Sequence, residues 1–203
     1  MGSKSRIAAK ILEIILKERQ PDQWIVDIFC GGCNLLDKVV GNRIGNDKNK
    51  YLIALFKGLQ DNTERPYTIT KEIYSKARTE YNNNSNKVFT DFEIGWIGWM
   101  GSYNGRFFDG GYSGHSVGVN NRDYISEQIR NTEKQMSRLQ GVKFYSKSYD
   151  EFDFKQICII YCDPPYKGTT QYSTSKDFSH SDFWQWCRNM SKKGHTVYIS
   201  EYN

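Results

Sequence analysis

The sequence predicts an α/β fold in which helices cover a parallel sheet and a second, mostly helical segment is inserted. Short apolar runs of strand length alternate with stretches whose apolar residues recur at helical spacing, in the order expected for a parallel sheet. This alternation stops in the middle third, which is polar, then aromatic, then rich in glycine. It resumes in the last third, where the apolar run 157–162 ends at Asp163 and two prolines.

The first third of the chain carries two predicted strand-helix units. A helix precedes them and ends before Pro21, and the first strand leads into the pair Gly31-Gly32. The predicted elements are, in order, a helix at 4–19, a strand at 24–29, a short helix at 35–40, a strand at 43–46 and a helix at 51–59. Consecutive units of this kind place their strands side by side and parallel.

The middle third interrupts this pattern. Residues 62–88 are polar, and the asparagines at 82–84 predict a loop; a helix is predicted over 89–100. The segment 101–112 contains too many glycines for a regular element. The apolar face of a further helix is formed by Ile125, Ile129, Thr132, Met136 and Leu139. Later strands are predicted near 142, over 157–161 and over 195–200.

Composition limits the classes of protein to consider. Apolar residues make up 38% of the 203 residues and aromatic residues 15%, which excludes disorder as a description of the whole chain. No apolar stretch approaches the roughly 18 residues of a membrane span and no signal-peptide pattern is visible, so a cytoplasmic protein without a membrane partner is expected. Five cysteines at irregular spacing favour reduced thiols, and the net charge of +5 suits nucleic acid.

The segment Asp163-Pro164-Pro165-Tyr166 is the strongest functional signal. A buried strand that ends there brings hydrogen-bond acceptors to the carboxyl edge of the sheet, where α/β proteins bind ligands. The Asp163 carboxylate and the Pro164 carbonyl can accept from both N–H groups of adenine's exocyclic amine, which is a poor nucleophile while its lone pair is delocalised. The prolines fix the geometry, and Tyr166 offers a ring that can stack on a base. The alternative is a plain strand-ending turn.

Two further loops suit a nucleotide-like ligand. The loop Phe29-Cys30-Gly31-Gly32-Cys33 follows the first strand, and its glycines allow the backbone to approach a ligand closely. Asp47 follows the second strand, where a carboxylate can accept from both ribose hydroxyls; capping of the next helix is an alternative role. The two cysteines also have the spacing of a dithiol or of half a zinc site, but no thioredoxin-like order surrounds them and zinc needs two more ligands.

The order of these motifs resembles the DNA adenine-N6 methyltransferases of the Dam type, which are common in bacteria and their phages. The resemblance spans nearly the whole chain, and the segments that carry it are Gly-Ser-Lys at 2–4, Phe-Cys-Gly-Gly at 29–32, the acid at 47 and Tyr-Cys-Asp-Pro-Pro-Tyr at 161–166. It implies a Rossmann-like sheet that binds S-adenosylmethionine, a DNA-recognition insertion and no metal. The catalytic domain is accordingly predicted at 1–60 and 141–203, and the target-recognition insertion at 61–140.

The same resemblance assigns roles to individual residues. The catalytic motif is matched by Asp163, Pro164, Pro165 and Tyr166. The residues matched to the S-adenosylmethionine site are Lys4, Asp27, Phe29, Cys30, Gly31, Gly32, Asp47, Ser148, Tyr149 and Asp163. The loop 102–112 is similar to the DNA-recognition loop, so the candidates for contact with double-stranded DNA are Tyr103, Asn104 and Arg106. A surface loop packed by its own aromatic residues is the alternative.

The reaction implied by the resemblance is methyl transfer to N6 of an adenine that has left the stack of the duplex. The main alternative is an inactive DNA-binding remnant, because relatives continue after the last predicted strand with an antiparallel pair that completes the sheet. A methyltransferase that acts on RNA or on a protein amide is disfavoured by Asp163, where such enzymes usually carry asparagine. A monomer is expected.

Overall fold

The computed structural model describes residues 4–116, 122–166 and 178–201, so Gly2 and Ser3 of the amino-terminal motif lie outside the described residues. Contacts divide the chain into two compact units. One unit runs over Lys50–Gln140, and the other joins the segments on either side of it. None of the helices in the described ranges is both long and apolar enough to cross a membrane.

The flanking unit is built on a five-stranded sheet whose strands all run parallel. Numbered along the chain, its strands are β1 (Trp24–Asp27), β2 (Arg43–Asn46), β5 (Lys143–Tyr145), β6 (Cys158–Cys162) and β7 (Thr196–Ile199). Their spatial order is β5-β2-β1-β6-β7. Because β2 lies on one side of β1 and β6 on the other, the winding direction reverses at β1, which is where open α/β sheets bind ligands. The predicted Rossmann-like α/β sheet is therefore confirmed.

Two helices of the flanking unit differ from the sequence prediction. The amino-terminal helix is shorter than 4–19, because Lys4–Arg6 form a 3₁₀ turn before α1 (Ala8–Ile15) begins. The short helix predicted at 35–40 is a single 3₁₀ turn over Leu36–Lys38. Most apolar residues at helical spacing in the two segments are buried, but Ile7 and Val40, at the ends of the shortened elements, are exposed.

The helix α6 (His180–Lys192; numbered along the chain) covers one face of this sheet and was not predicted from the sequence. Its buried side chains recur at helical spacing and pack on every second residue of β6, since alternate strand residues face the same side. The buried core formed in this way consists of Val26, Ile28, Cys158, Ile160, Cys162, Phe183, Trp186, Cys187 and Met190.

The unit over Lys50–Gln140 is mostly helical. It contains α2 (Lys50–Gln60), α3 (Lys71–Asn83), α4 (Asp91–Gly101), the strand pair β3 (His115–Ser116) and β4 (Arg122–Asp123), and α5 (Tyr124–Leu139). The unit begins at Lys50, whereas the predicted insertion begins at 61, because α2 packs against α4. The helices predicted at 89–100 and around 125–139 are confirmed as α4 and α5, and all five residues of the predicted apolar face of α5 are buried.

The segment 62–88, where the sequence predicts a loop around the asparagines, contains α3 instead. Thr70 caps the start of this helix with its side chain, and Asn84 ends it in the left-handed conformation with φ of 46°. Asparagine tolerates that conformation, so the asparagine run marks the end of a helix. The residues after the helix are held by Glu80 of α3, whose buried carboxylate accepts hydrogen bonds from the three consecutive backbone N–H groups at 87–89, over 2.8–3.2 Å.

Gly95 allows α2 and α4 to pack closely. A Cβ atom on Gly95 would lie 2.1 Å from the carbonyl oxygen of Tyr51, and a helix backbone cannot move aside as a flexible side chain can. We therefore expect Gly95→Ala to lower the free energy of unfolding by about 1–3 kcal/mol, although alanine favours helices. Urea unfolding followed by circular dichroism measures this. The control is Ser75→Ala on the exposed side of α3, for which a change within about 0.5 kcal/mol is expected. Equal stability of the two variants would contradict the close packing.

Candidate active site

The predicted site residues of the flanking unit lie where its parallel strands end. Asp27 is the last residue of β1 and the loop 29–32 follows it, while Asp47 follows β2. The pair 148–149 comes after β5, and the segment 163–166 comes directly after β6. Since the carboxyl ends of parallel strands meet at one edge of a sheet, the strand order places the three acids on adjacent strand ends.

Tyr166 is held by hydrogen bonds from three parts of the fold. Its hydroxyl donates to Oδ1 of Asp163. Lys4 Nζ lies 2.9 Å from the same Oδ1 and donates to the Tyr166 hydroxyl oxygen over 2.6 Å. The hydroxyl of Ser200, directly after β7, lies 3.2 Å from that of Tyr166. Between Asp163 and Tyr166 in the chain, Pro164 is buried and Pro165 is half-buried, and these two prolines fix the turn.

The protonation states of this network follow from its contacts. Burial lowers the pKa of Lys4, but the hydrogen bonds to Tyr166 and Asp163 and the nearby negative charge outweigh it, and the net shift is upward. Burial, then the hydrogen bond to Asp163, raises the pKa of Tyr166. At neutral pH Lys4 is therefore a cation and Tyr166 a neutral phenol that can donate.

Asp27 is buried beside the segment 163–166, and one of its carboxylate oxygens has no described hydrogen-bond partner. The residue is 3% exposed, and among the described residues its Oδ1 has no hydrogen-bond partner. Burial, then the negative charge of Asp163, raises the pKa of Asp27 well above its usual range; Asp47 adds to this, and a hydrogen bond from the backbone of Phe29 opposes it. A carboxyl group in these surroundings is suited to a ligand that brings positive charge or N–H donors.

Asp47 joins the loop after β1 to the loop after β2. Its Oδ2 accepts from the N–H of Gly31 over 3.1 Å, and its Oδ1 accepts from the N–H of Asn49 over 2.9 Å. The second contact is local, of the kind that caps a helix, while the first links two separate loops. Gly31 has φ of +46°, and a Cβ placed on it would meet no atom within 4 Å, so the space beside this loop is open. Burial raises the pKa of Asp47, and the two hydrogen bonds partly offset that effect.

Phe29 and Tyr149 belong to one aromatic cluster at this edge. Their ring centres lie 6.0 Å apart, and both rings contact Phe183 of α6, with centres at 5.7 and 5.4 Å. The turn that holds Tyr149 is fixed by the backbone N–H of Ser148, which donates to the Glu151 carboxylate over 2.8 Å. Two residues that the sequence resemblance assigns to the same ligand thus pack together.

The cysteine pair of the glycine loop does not have the properties of a reactive dithiol. Burial raises the pKa of Cys30 well above its usual range and also raises the pKa of Cys33. All five cysteines are free thiols, and all are buried. Redox-active dithiols need an exposed thiol with a low pKa, so this arrangement does not suit redox catalysis. Within the described part of the chain, no group of three or more His, Cys, Asp or Glu side chains is placed to hold a metal ion.

Two residues at this edge were missed by the sequence analysis, Ser200 and Asn46. Asn46 is 1% exposed; its amide donates to the carbonyl oxygens of Ile28 and Lys147, both over 3.0 Å, and accepts from the Lys147 N–H over 3.0 Å. It therefore connects the loops after β1, β2 and β5. A polar residue at the end of a buried strand, directly before Asp47, is the signal that could have identified it.

Comparison with models of known families identifies the family to which this chain belongs. The model of the D12 class N6 adenine-specific DNA methyltransferases matches residues 1–129 and 115–202. The chain belongs to this D12 class. A search of curated proteins finds no match. The predicted resemblance to adenine methyltransferases and the predicted methyltransferase fold are thereby confirmed, and the family indicates adenine methylation of DNA.

In this D12-class methyltransferase the predicted recognition loop 102–112 lies in the mostly helical unit and is anchored by buried residues of its own. Phe108 is fully buried and its N–H donates to the Ser102 hydroxyl over 2.8 Å. The ends of the loop are closed by backbone pairing between Ser102 and Tyr112. At the tip, Tyr103 is 45% exposed and Asn104 is exposed in the left-handed conformation, while Arg106 is half-buried. The loop packs on its own aromatics yet still presents a ring and an amide.

A cavity of about 260 Å³ opens beside this loop in the D12-class enzyme. Tyr103 and Asn104 line it from the loop, and Tyr124, Gln128 and Asn131 line it from α5. The rings of Tyr103 and Tyr124 meet edge to face, with centres 5.9 Å apart. Amide groups can read base edges and aromatic rings can stack on bases, so α5 adds groups of the kind that contact DNA. These residues of α5 were not predicted from the sequence.

Proposed function

We propose that this chain transfers a methyl group from S-adenosylmethionine to N6 of an adenine extruded from double-stranded DNA. Membership of the D12 class supports adenine methylation of DNA. The observation that supports the rest is the presence, at one edge of the parallel sheet, of an open glycine loop, the acids Asp27 and Asp47, and the network of Asp163 with Tyr166.

The residues at this edge fit S-adenosylmethionine. Asp47 would accept from the ribose hydroxyls, and the open space beside Gly31 would admit the nucleoside. The unpaired oxygen of Asp27 suits the positive charge of the methionine part. Phe29 and Tyr149 would contact the purine ring. When bound, S-adenosylmethionine supplies a methyl group on a sulfonium, which is already a good leaving group.

Asp163 and Pro164 would act on the amine of the target adenine. Lys4 and Tyr166 both bond to Oδ1 of Asp163, and neither contact uses Oδ2. The amine would donate one N–H to Oδ2 and the other to the Pro164 carbonyl, which favours a tetrahedral, nucleophilic nitrogen. The nitrogen gains a carbon bond as the carbon–sulfur bond breaks, and it then loses one proton, for which Oδ2 is the adjacent acceptor.

Tyr166 would hold the extruded base by stacking. An adenine that is paired and stacked cannot present its amine, so the base must leave the duplex. The Tyr166 ring is fixed through its hydroxyl by Lys4, Asp163 and Ser200, so little motional freedom remains to be lost when a base stacks on it. Stacking of a base on an aromatic side chain contributes roughly 1–3 kcal/mol.

The test of this function is transfer of a labelled methyl group from S-adenosylmethionine to a mixed DNA pool, followed by digestion to nucleosides. The expected result is label in N6-methyladenine only. An Asp163→Ala protein prepared in the same way serves as the blank for a contaminating enzyme. If DNA is bound, but no nucleoside is labelled and S-adenosylmethionine does not raise the melting temperature, the chain acts as a DNA-binding remnant and the proposal fails.

We expect Tyr103→Ala to weaken extrusion of the target base. An exposed aromatic side chain can wedge into the base stack, and its loss removes stacking of roughly 1–3 kcal/mol, or about 10- to 100-fold in transfer rate. Fluorescence of 2-aminopurine at the target position reports unstacking directly. The control is Tyr67→Ala, which removes another exposed ring of the same unit. An equal fluorescence rise with both variants would exclude Tyr103 from extrusion.

A further inference from the structure

We propose that Lys4 is a positioning residue for the methyl-accepting side of the site, holding Asp163 and Tyr166 in their working orientation. The inference rests on the proposed function and departs from the cofactor-binding role that the sequence resemblance gives to Lys4. The described contacts of its ammonium are with the catalytic segment, at 2.9 Å from Asp163 Oδ1 and 2.6 Å from the Tyr166 hydroxyl.

The three groups form a closed triangle of contacts. Lys4 binds both partners, and Tyr166 donates to the oxygen that Lys4 already contacts. Because both donors meet at Oδ1, they set the rotation of the carboxylate and direct Oδ2 away from themselves. If the Lys4 ammonium or the Tyr166 hydroxyl is removed, Asp163 Oδ1 keeps only one of these two contacts. A single contact does not fix the plane of the carboxylate.

The backbone of Lys4 is held in place by the start of the fold. Lys4 opens the 3₁₀ turn over Lys4–Arg6, and its carbonyl oxygen accepts from the Ile7 N–H over 3.0 Å. The following helix α1 is anchored through the buried side chains Ala8 and Leu12. The backbone position of Lys4 is therefore fixed, and its side chain extends from there to the segment 163–166.

The charge of Lys4 is also needed at this place. Asp163 lies close enough to the buried Asp27 to repel a negative charge there. A negative charge beside a buried carboxyl group disfavours ionisation of that group, and a nearby cation offsets the negative charge. The structure assigns this compensation to Lys4, because its ammonium makes an ion pair with Asp163 in which both side chains are mostly buried.

The first test separates positioning from cofactor binding. Lys4→Met keeps the length of the side chain and removes the ammonium, and Lys10→Met on the exposed side of α1 is the matched control. We expect Lys4→Met to lower kcat by about 100-fold, the effect of losing one preorganised polar contact, and to change the dissociation constant of S-adenosylhomocysteine by less than about 3-fold. Calorimetry with S-adenosylhomocysteine needs no turnover. A dissociation constant that rises in step with the loss of rate would overturn the proposal.

The second test measures the coupling between Lys4 and Tyr166 through protein stability, so it does not depend on catalysis. Tyr166→Phe keeps the ring and removes the hydroxyl, so a double-mutant cycle with Lys4→Met measures their coupling in urea unfolding. The expected result is non-additivity, with the double variant about as stable as the less stable single variant. Additive losses would overturn the role of Lys4 whatever the activity. A wild-type protein that transfers no methyl group would instead overturn the proposed function, so the two failures are distinguishable.

Discussion

Asp163→Ala is expected to lower kcat for methyl transfer by about 1,000-fold or more, while the protein remains folded and still binds S-adenosylmethionine. The carboxylate is the acceptor proposed for the target amine and the group on which the contacts of Lys4 and Tyr166 converge. Loss of one preorganised hydrogen-bonding group in an active site typically costs about 100- to 1,000-fold in rate, and alanine here also releases Tyr166. Steady-state transfer to DNA measures kcat, and single-turnover transfer measures the methyl-transfer step itself.

Two further variants sharpen this test. Asp163→Asn keeps the shape and an acceptor oxygen but removes the charge, so we expect a rate between those of the wild type and Asp163→Ala. Asp153→Ala removes an exposed acid of the same unit, whose ion pair with Lys193 lies at the surface, and it should leave the rate unchanged. If Asp163→Ala kept a rate within about tenfold of the wild type, Asp163 would not be the amine acceptor.

Asp47→Ala is expected to weaken binding of S-adenosylmethionine by about 10- to 100-fold, because hydrogen bonds to a charged group contribute roughly 1.5–3 kcal/mol each. The variant removes the acceptor proposed for the ribose and releases the Gly31 N–H that Asp47 now binds. Calorimetric titration measures the dissociation constant, with Asp22→Ala, an exposed acid of the same unit, as the control. Unchanged affinity with lower stability would leave Asp47 only a loop-fixing role.

The pH dependence of this binding follows from the burial of Asp47. Burial raises the pKa of Asp47, so the carboxylate takes up a proton at a higher pH than an exposed aspartate does. The protonated form is a weaker acceptor for ribose hydroxyls. Binding of S-adenosylmethionine should therefore be intact above the raised pKa and weaken as the pH falls through it. The Asp47→Ala protein should keep only the part of this dependence that Asp27 contributes.

The strands and their ends could be predicted from the sequence because each depends on local patterns. An apolar run that stops at a polar residue fixes both a strand and its carboxyl edge, and this held for β6. The bounds of β2 are as predicted, although its sequence is not an apolar run, and β1 ends at Asp27, two residues before the predicted end. The helix α3 was missed because few of its side chains are buried, so its apolar stripe is narrow and its asparagine-rich end is typical of loops.

The contacts within the candidate site could not be predicted in the same way. Lys4 and Tyr166 are 162 positions apart, and no local pattern links residues so distant in the chain. The raised pKa of Asp27 likewise depends on burial and on charges that three different strands bring together. Residue types and strand ends suggest which groups share an edge, but the partners within it are set by tertiary packing.

Asn46 has a consequence for how a ligand would be received. One amide group connects the loops after β1, β2 and β5 by hydrogen bonds, so none of the three can move independently of the others when a ligand binds. The conformational freedom of these loops has already been given up during folding. Less entropy is then lost on association, so more of the contact energy remains as affinity.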